Sequence, residues 1–229
     1  MAEVPNSEQR QGASRYLQDF AYTEIMRLAA TCARWNNEKL FGVGVPPDRR
    51  SQAAACAFAI THEHHVAAIT LFEAGMYSSA FALLRACFEA LIRGIWLVRA
   101  ATDEQATHYF EGKDTKKVEG LLRDIKKAPT GNEDAFLVNT WNTSEKSLHR
   151  FTHVSYQLLI RRLNTDLVEE GMQPAEVISA VRFATGCALL ASEEIAKLGG
   201  ATDLEKHAQR LLGILYPDDG WDGQPVAEP

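Results

Sequence analysis

Apolar residues recur at spacings of three and four along most of the 229-residue chain, and this periodicity restricts the fold more than any other feature. Between residues 14 and 36 it gives one stripe of Leu17, Ala21, Ile25, Leu28, Cys32 and Trp35. Sustained strand alternation between hairpin turns does not occur. The pattern predicts an all-α fold, an antiparallel up-and-down bundle of four to five core helices with smaller flanking helices. We expect one domain over residues 1–216 and an acidic, disordered tail over residues 217–229.

Capping and breaking residues predict where the helices begin and end. In the first half of the chain we expect a helix capped by Asp48 and ending at Gly75, a helix over 78–101, a short helix from Asp103 and a helix capped by Asp114. A helical stretch follows over 133–163, with an interruption at Asn142–Glu145. The last two expected helices are one from Pro174 to Gly199 and one that begins with a Thr202–Glu205 capping box.

Charge and cysteine content narrow the range of functions. The net charge is −6, and the four carboxylates of the tail leave about −2 for the body, so broad attraction to nucleic acid or to an anionic membrane is not expected. The four cysteines form no CxxC pair and occupy apolar helical contexts, which is typical of reduced core thiols.

The first residues lack the pattern of a secretory signal, and the most apolar window, 80–101, carries four charges. We therefore expect a cytoplasmic protein that does not span a membrane.

The helix over 78–101 is apolar nearly all round, yet it places three charged residues, Arg85, Glu89 and Arg93, on one line at four-residue spacing. Long charged side chains in such a helix must be paired or must line a polar cavity. Two interpretations stay open: a buried ion triad between helices, or a polar pocket whose arginines bind an anion such as phosphate.

Histidines occur together in the segment "THEHH", where His62 and His65 can share one helical face. Neither the HExxH motif of zinc proteases nor the Glu-x-x-His pattern of di-iron bundles occurs in the chain. Packed or solvated histidines are the default interpretation, and no cofactor is predicted. A metal-dependent hydrolase that uses His62 and His65 is the remaining alternative.

The segment "SLHRFTHVS" predicts a basic, titratable helix edge. His149 and His153 lie four residues apart, with Lys146 and Arg150 on a neighbouring line. One interpretation is a solvated rim. The other places His153 inside, near the line of Arg85 and Glu89, with the basic residues guiding a phosphate-bearing ligand. In an enzyme of this kind, His153 would be the acid–base group of a metal-independent ribonuclease, with Arg85 or Arg150 stabilising the developing charge.

The stretches "SSAFALLRACFEALIRGIWLV" and "SLHRFTHVSYQLL" together resemble prokaryotic helical families of unknown function that are related to the HEPN (higher-eukaryote-and-prokaryote nucleotide-binding) superfamily. The resemblance spans about residues 50–198 and depends on Arg85, Glu89, Trp96 and the segment from Ser147 to His153. It implies a helical bundle, frequently a homodimer, in phage defence or toxin–antitoxin regulation.

Many HEPN proteins cleave RNA with an arginine that precedes a histidine by four to six intervening residues. None of the histidines of this chain has such an arginine, and Lys146 before His153 is the nearest match. Lysine lacks the bidentate fork of arginine. The departure favours a non-catalytic binding or interaction module with a nucleotide, RNA or protein partner over a nuclease.

Overall fold

The fold was analysed in a computed structural model, which describes residues 7–113, 116–128, 133–152, 159, 163–164, 167–168 and 172–217. These contain eight helices: α1 Ser7–Lys39, α2 Arg49–Glu73, α3 Tyr77–Arg99, α4 Asp103–Phe110, α5 Val118–Lys127, α6 Glu133–Thr152, α7 Pro174–Leu198 and α8 Thr202–Leu215. Two strands of two residues each, β1 Leu163–Asn164 and β2 Leu167–Val168, pair antiparallel. The predicted all-α bundle is confirmed.

Two apolar helices, α3 and α7, hold the bundle together. α3 packs against α2, α5, α6 and α7, while α7 also packs against α1, α2 and α8. Their contact surfaces bury a cluster of aromatic side chains, each with at most 2% of its surface exposed: Phe58, Phe72, Phe81, Phe88, Trp96 and Phe183. Aromatic rings carry the largest apolar area per residue, so this cluster supplies much of the core.

By length and composition only, α7 is the one described helix that could cross a membrane, and 67% of its apolar window is buried inside the bundle. A helix that is apolar on all sides is expected at the centre of a bundle. Packing therefore accounts for the apolar composition of α7.

Four of the predicted helix boundaries are confirmed, and one of them is the start of α4 at Asp103. Asp48 caps α2 by accepting a hydrogen bond from the Ser51 amide at 2.9 Å. α7 begins with Pro174, whose missing N–H costs nothing in a first turn, and ends before Gly199. Gly200 then has a φ of +65°, which lets the chain turn into α8 without steric cost.

Other predicted boundaries are wrong. α6 continues through Asn142 without interruption, because Trp141 and Ser144 are both buried and keep the helical periodicity. The N-cap of α8 is Ala201 and no side chain caps it, so the Thr202 capping box is not formed. A capping box forms instead at α4, between Thr102 and Gln105.

The α5 helix begins only at Val118, and Leu163 belongs to a strand rather than to a helix. The expected cap Asp114 and, apart from Pro217, the acidic tail over residues 217–229 lie outside the described residues.

The cysteine prediction is confirmed for three residues and wrong for one. Cys32, Cys87 and Cys187 are buried free thiols, whereas Cys56 is exposed on α2. Burial raises the pKa of Cys32 to about 11, so this thiol stays protonated and behaves as a small apolar group.

A buried ion network that sequence analysis did not predict connects α3, α7 and α8. Glu193 and Glu194 on α7 are only 6% and 4% exposed. Arg99 of α3 pairs with Glu194, and Lys197 lies 2.8 Å from Glu193 Oε1 and 3.3 Å from Glu194 Oε1. Gln209 Nε2 of α8 donates to Glu193 at 2.9 Å. Within the described part of the chain, the two carboxylates of this network are balanced by two cations, as buried charges require.

The close approach of α2 and α3 depends on Gly94. A Cβ atom at this position would lie 2.4 Å from the ring of the fully buried Phe58. Overpacking a core costs about 1–3 kcal/mol, which exceeds the gain of up to about 1 kcal/mol when alanine replaces glycine in a helix. We expect Gly94→Ala to lower the free energy of unfolding by about 1–2 kcal/mol in urea titration. Gly213→Ala is the matched control: a Cβ there meets nothing within 4 Å, so this variant should be at least as stable as the wild type.

Candidate functional site

Arg85 and Glu89 form the centre of a polar cluster where α3 packs against α6. One helical turn separates them, and Arg85 Nε donates to Glu89 Oε1 at 2.7 Å. Their side chains are 27% and 41% exposed. The predicted pairing is confirmed, but the predicted burial is wrong, because both residues lie at the edge of the helix–helix contact and not within it.

His149 of α6 contacts the same guanidinium. Arg85 Nη1 lies 3.1 Å from His149 Nδ1. A guanidinium can only donate hydrogen bonds, so Nδ1 is the acceptor, and the neutral imidazole carries its proton on Nε2. His149 itself is exposed, at the rim of the bundle.

The ring of Trp141 packs against the guanidinium of Arg85. The ring centroid of Trp141 lies 5.7 Å from the guanidinium carbon of Arg85, within the range of a cation–π contact. The ring is 2% exposed and stacks on Phe88 with an interplanar angle of 6°. Its buried Nε1 has no hydrogen-bond partner among the described residues. We refer to Arg85, Glu89, Trp141 and His149 as the Arg85 cluster.

Sequence analysis did not identify Trp141 as part of the site. A signal was present, since Trp141 and His149 lie eight residues apart and therefore on one face of a continuous helix. The expected interruption at Asn142 separated the two residues and concealed that relation.

The basic residues of the predicted edge lie close to His149 along α6. Lys146 is exposed, one turn before His149, and Arg150 follows His149 and is half-buried. His153, predicted as the inward-facing histidine, lies outside the described residues. Of the predicted site on α6, the structure brings His149 into direct contact with Arg85.

Arg93 does not join this cluster, so the predicted ion triad is wrong. Its Nη2 donates to the Lys116 carbonyl at 3.2 Å, and its guanidinium carbon lies 5.0 Å from the centre of the Tyr109 ring. Arg93 is one turn nearer the end of α3 than Glu89, and there the chain leading into α5 offers a backbone acceptor. Lys116 in turn pairs with Asp124 at 2.6 Å and helps to lower the pKa of that carboxyl against the opposing effect of burial.

Two histidines of α2, His62 and His65, point toward α7. His62 Nε2 lies 2.9 Å from the Ala188 carbonyl, which can only accept, so this nitrogen carries a proton. His65 Nε2 lies 3.1 Å from Thr185 Oγ1. Burial lowers the pKa of His62 to about 4 and that of His65 to about 3. No group of three His, Cys, Asp or Glu residues that could hold a metal occurs in the described part of the chain, so the metal-site alternative has no third ligand there.

Comparison with known protein families gives a match over most of the chain. The model of a family of unknown function, DUF6988, matches residues 58–213, about two thirds of the chain. The chain belongs to the DUF6988 family. The matched region runs from α2 into α8 and includes the whole Arg85 cluster, whereas α1 lies outside it. No curated protein and no solved structure matches the chain.

Proposed function

We propose that this chain is a cytoplasmic, HEPN-like helical binding module that holds an anionic ligand, a nucleotide or an RNA phosphate, at the Arg85 cluster. Action in phage defence or toxin–antitoxin regulation, as a homodimer, is part of the proposal. The observation that supports it best is the hydrogen bond of 3.1 Å between Arg85 Nη1 and His149 Nδ1, which holds a guanidinium at a partly exposed surface.

The donors of Arg85 suit a phosphate. A guanidinium has five N–H groups, and the contacts to Glu89 and His149 use two of them. Three N–H groups therefore have no partner among the described residues, including both on Nη2. The planar fork of arginine matches two oxygens of one phosphate, and the Trp141 ring beneath it restricts its orientation.

Local charge favours an anion although the body is nearly neutral. Arg85, Lys146 and Arg150 contribute three positive charges, Glu89 and Glu145 contribute two negative charges, and His149 is neutral when it accepts from Arg85. The surplus is one positive charge. Binding should therefore be local, with a shallow dependence on salt concentration, because few phosphates are neutralised.

The protonation of His149 favours binding over cleavage. A ribonuclease needs a group that takes a proton and a group that gives one. In the observed contact, the Nδ1 lone pair of His149 accepts from Arg85 and Nε2 carries the proton, so the ring has no lone pair left to act as a base. The ribonuclease alternative would depend on His153, which lies outside the described residues.

Binding to a fluorescently labelled single-stranded uridine oligonucleotide tests the proposal by anisotropy, with EDTA present. Hydrogen bonds to charged groups contribute about 1.5–3 kcal/mol, so we expect Arg85→Met to raise the Kd at least tenfold. Arg27→Met is the matched control, since it removes the same charge from an exposed position on α1. It should leave the Kd within twofold.

Two results would contradict the proposal. Equal affinities of the wild type and Arg85→Met for the oligonucleotide would mean that the Arg85 cluster does not bind it. Cleavage of the oligonucleotide in EDTA would replace the binding module with the ribonuclease alternative. Gel analysis of the same samples distinguishes cleavage from binding.

A further inference from the structure

Glu89 places an accessible carboxylate beside the anion site proposed at Arg85. Its side chain is 41% exposed and that of Arg85 is 27% exposed, so a ligand that reaches the guanidinium also reaches the carboxylate. Oε1 of Glu89 accepts from Arg85 Nε at 2.7 Å, and Oε2 has no hydrogen-bond partner in the described part of the chain. Lone pairs of Glu89 are therefore left for a donor on the ligand.

The environment of Glu89 differs from that of a buried structural carboxylate of this bundle. Glu194 is 4% exposed and pairs with two cations, Arg99 and Lys197. Glu89 pairs within the described residues with Arg85 alone. An ion pair at a partly exposed helix edge contributes little to stability. Substitution of Glu89 should therefore leave the fold intact, so its effect on ligand binding can be measured.

The hydrogen bonds of Arg85 decide where a phosphate lies relative to Glu89. Glu89 occupies the Nε–H, and His149 occupies one N–H of Nη1. A phosphate therefore binds through the N–H groups that are left, the two of Nη2 and the second one of Nη1. Because Nε and Nη2 donate from the same edge of the planar guanidinium, the phosphate and the carboxylate become neighbours.

Two neighbouring anions repel each other unless the ligand brings a hydrogen-bond donor to the carboxylate. In RNA, the 2′-hydroxyl and the 3′-phosphate are attached to adjacent carbons of the sugar, while the base is attached to a carbon farther from that phosphate. The 2′-hydroxyl is therefore the nearest donor to the phosphate, and it is the group that distinguishes RNA from DNA. In DNA, the phosphate at Arg85 would lie beside a carboxylate without a donor.

We propose that Glu89 selects RNA over DNA by accepting a hydrogen bond from the 2′-hydroxyl of the nucleotide whose 3′-phosphate binds Arg85. This inference rests on the function proposed above, because it requires a phosphate at Arg85, and it specifies the ligand as RNA. Arg85 attracts the backbone of any nucleic acid, and Glu89 distinguishes the sugar.

Three labelled oligonucleotides of equal length test the proposal by anisotropy in EDTA: uridine, 2′-deoxyuridine and 2′-fluorouridine. Fluorine keeps the ribose-like sugar pucker but cannot donate a proton. Hydrogen bonds to charged groups are strong enough that the wild type should bind the uridine oligonucleotide at least tenfold more tightly than either analogue. Equal affinities for all three would overturn the proposal. So would equal affinities for uridine and 2′-fluorouridine, because the sugar pucker and not the hydroxyl would then be recognised.

Substitution of Glu89 assigns the selection to this side chain. Glu89→Met keeps the length of the side chain and removes the carboxylate. It should bind the three oligonucleotides about equally, and it should bind the deoxyuridine oligonucleotide more tightly than the wild type does, because the repulsion is gone. Weaker binding of all three oligonucleotides with the preference for uridine unchanged would give Glu89 a purely structural role and refute the proposal.

Glu24→Met is the matched control for Glu89→Met. Glu24 also pairs with an arginine of its own helix, since it lies 2.8 Å from Arg27 on α1, and its side chain is 43% exposed. This variant should keep the preference for the uridine oligonucleotide. Loss of the preference in Glu24→Met as well would mean that the sugar is not selected at Glu89.

The proposed anion site and the proposed selection by Glu89 fail in different ways. If Arg85→Met binds the uridine oligonucleotide as tightly as the wild type, no phosphate binds at Arg85 and both proposals are wrong. If Arg85→Met weakens binding while the wild type binds the three oligonucleotides equally, the anion site stands and the selection of the sugar by Glu89 is wrong.

Discussion

The protein should lose about 4 kcal/mol of stability between pH 6.5 and pH 4.5, because burial disfavours the protonated forms of His62 and His65 in the folded state. Burial lowers the pKa of His62 from its ordinary value of 6.5 to about 4, and that of His65 to about 3. Well above pH 6.5 both rings are neutral in the folded and the unfolded chain, so the full stability is present. Below pH 6.5 only the unfolded chain binds the two protons, and the free energy of unfolding falls by about 1.4 kcal/mol per pH unit for each ring.

This loss is large relative to the stability of a typical domain, about 5–15 kcal/mol, so urea midpoints should fall steeply in mild acid. The measurement is the free energy of unfolding by urea at half-unit steps from about pH 7.5 to about pH 4.5, a range that spans the ordinary histidine pKa. The double variant His62→Gln, His65→Phe should flatten the profile. The new glutamine amide can still donate to the Ala188 carbonyl, and the new phenyl ring removes the unpaired Nδ1 of His65.

His108→Gln is the control, because His108 is exposed on α4 and should leave the pH profile unchanged. A wild-type profile that stays flat down to about pH 4.5 would mean that the two rings of α2 are accessible to water and protons in the folded state.

Local features of the fold were predictable from sequence because they depend on residues one or two turns apart. The Arg85–Glu89 pair is an example, since a spacing of four brings two side chains together on any helix. The Asp48 cap and the first turn at Pro174 are others, because each depends on its own backbone.

Contacts between helices were not predictable in the same way. The length of Arg93 lets it reach either Glu89 or the Lys116 carbonyl, and the position of the chain before α5 decides between them. His149 meets Arg85 only because α6 runs unbroken past Trp141. A sequence specifies the face of each helix, but the partner of that face depends on how the helices pack.

Glu193 and Glu194 show this limit most clearly. Two adjacent glutamates predict a solvated surface, since such residues are rarely buried unless paired. They are buried because Arg99 and Lys197 pair with them. Arg99 belongs to α3 and precedes its partner Glu194 by 95 positions in the sequence.

Arg99→Met should therefore destabilise the protein by about 3–5 kcal/mol, the cost of leaving one charge of a buried pair without its partner. The variant keeps a long apolar side chain at position 99 and removes only the charge and the hydrogen bonds. Among the described residues, Lys197 would then be the cation left to pair with Glu193 and Glu194, which have 6% and 4% of their surfaces exposed to water. Urea unfolding at neutral pH measures the loss.

A second substitution separates the stranded charge from lost packing. Glu194→Gln in the Arg99→Met background restores the balance of charge, so the double variant should recover at least half of the lost free energy, which a double-mutant cycle reports as coupling. Arg27→Met provides the exposed comparison: the Arg27 and Glu24 side chains are 68% and 43% exposed, and breaking their ion pair should leave the melting temperature unchanged. If the double variant is no more stable than Arg99→Met alone, the cost comes from packing around residue 99, and the pairing of Arg99 with Glu194 contributes little to the bundle.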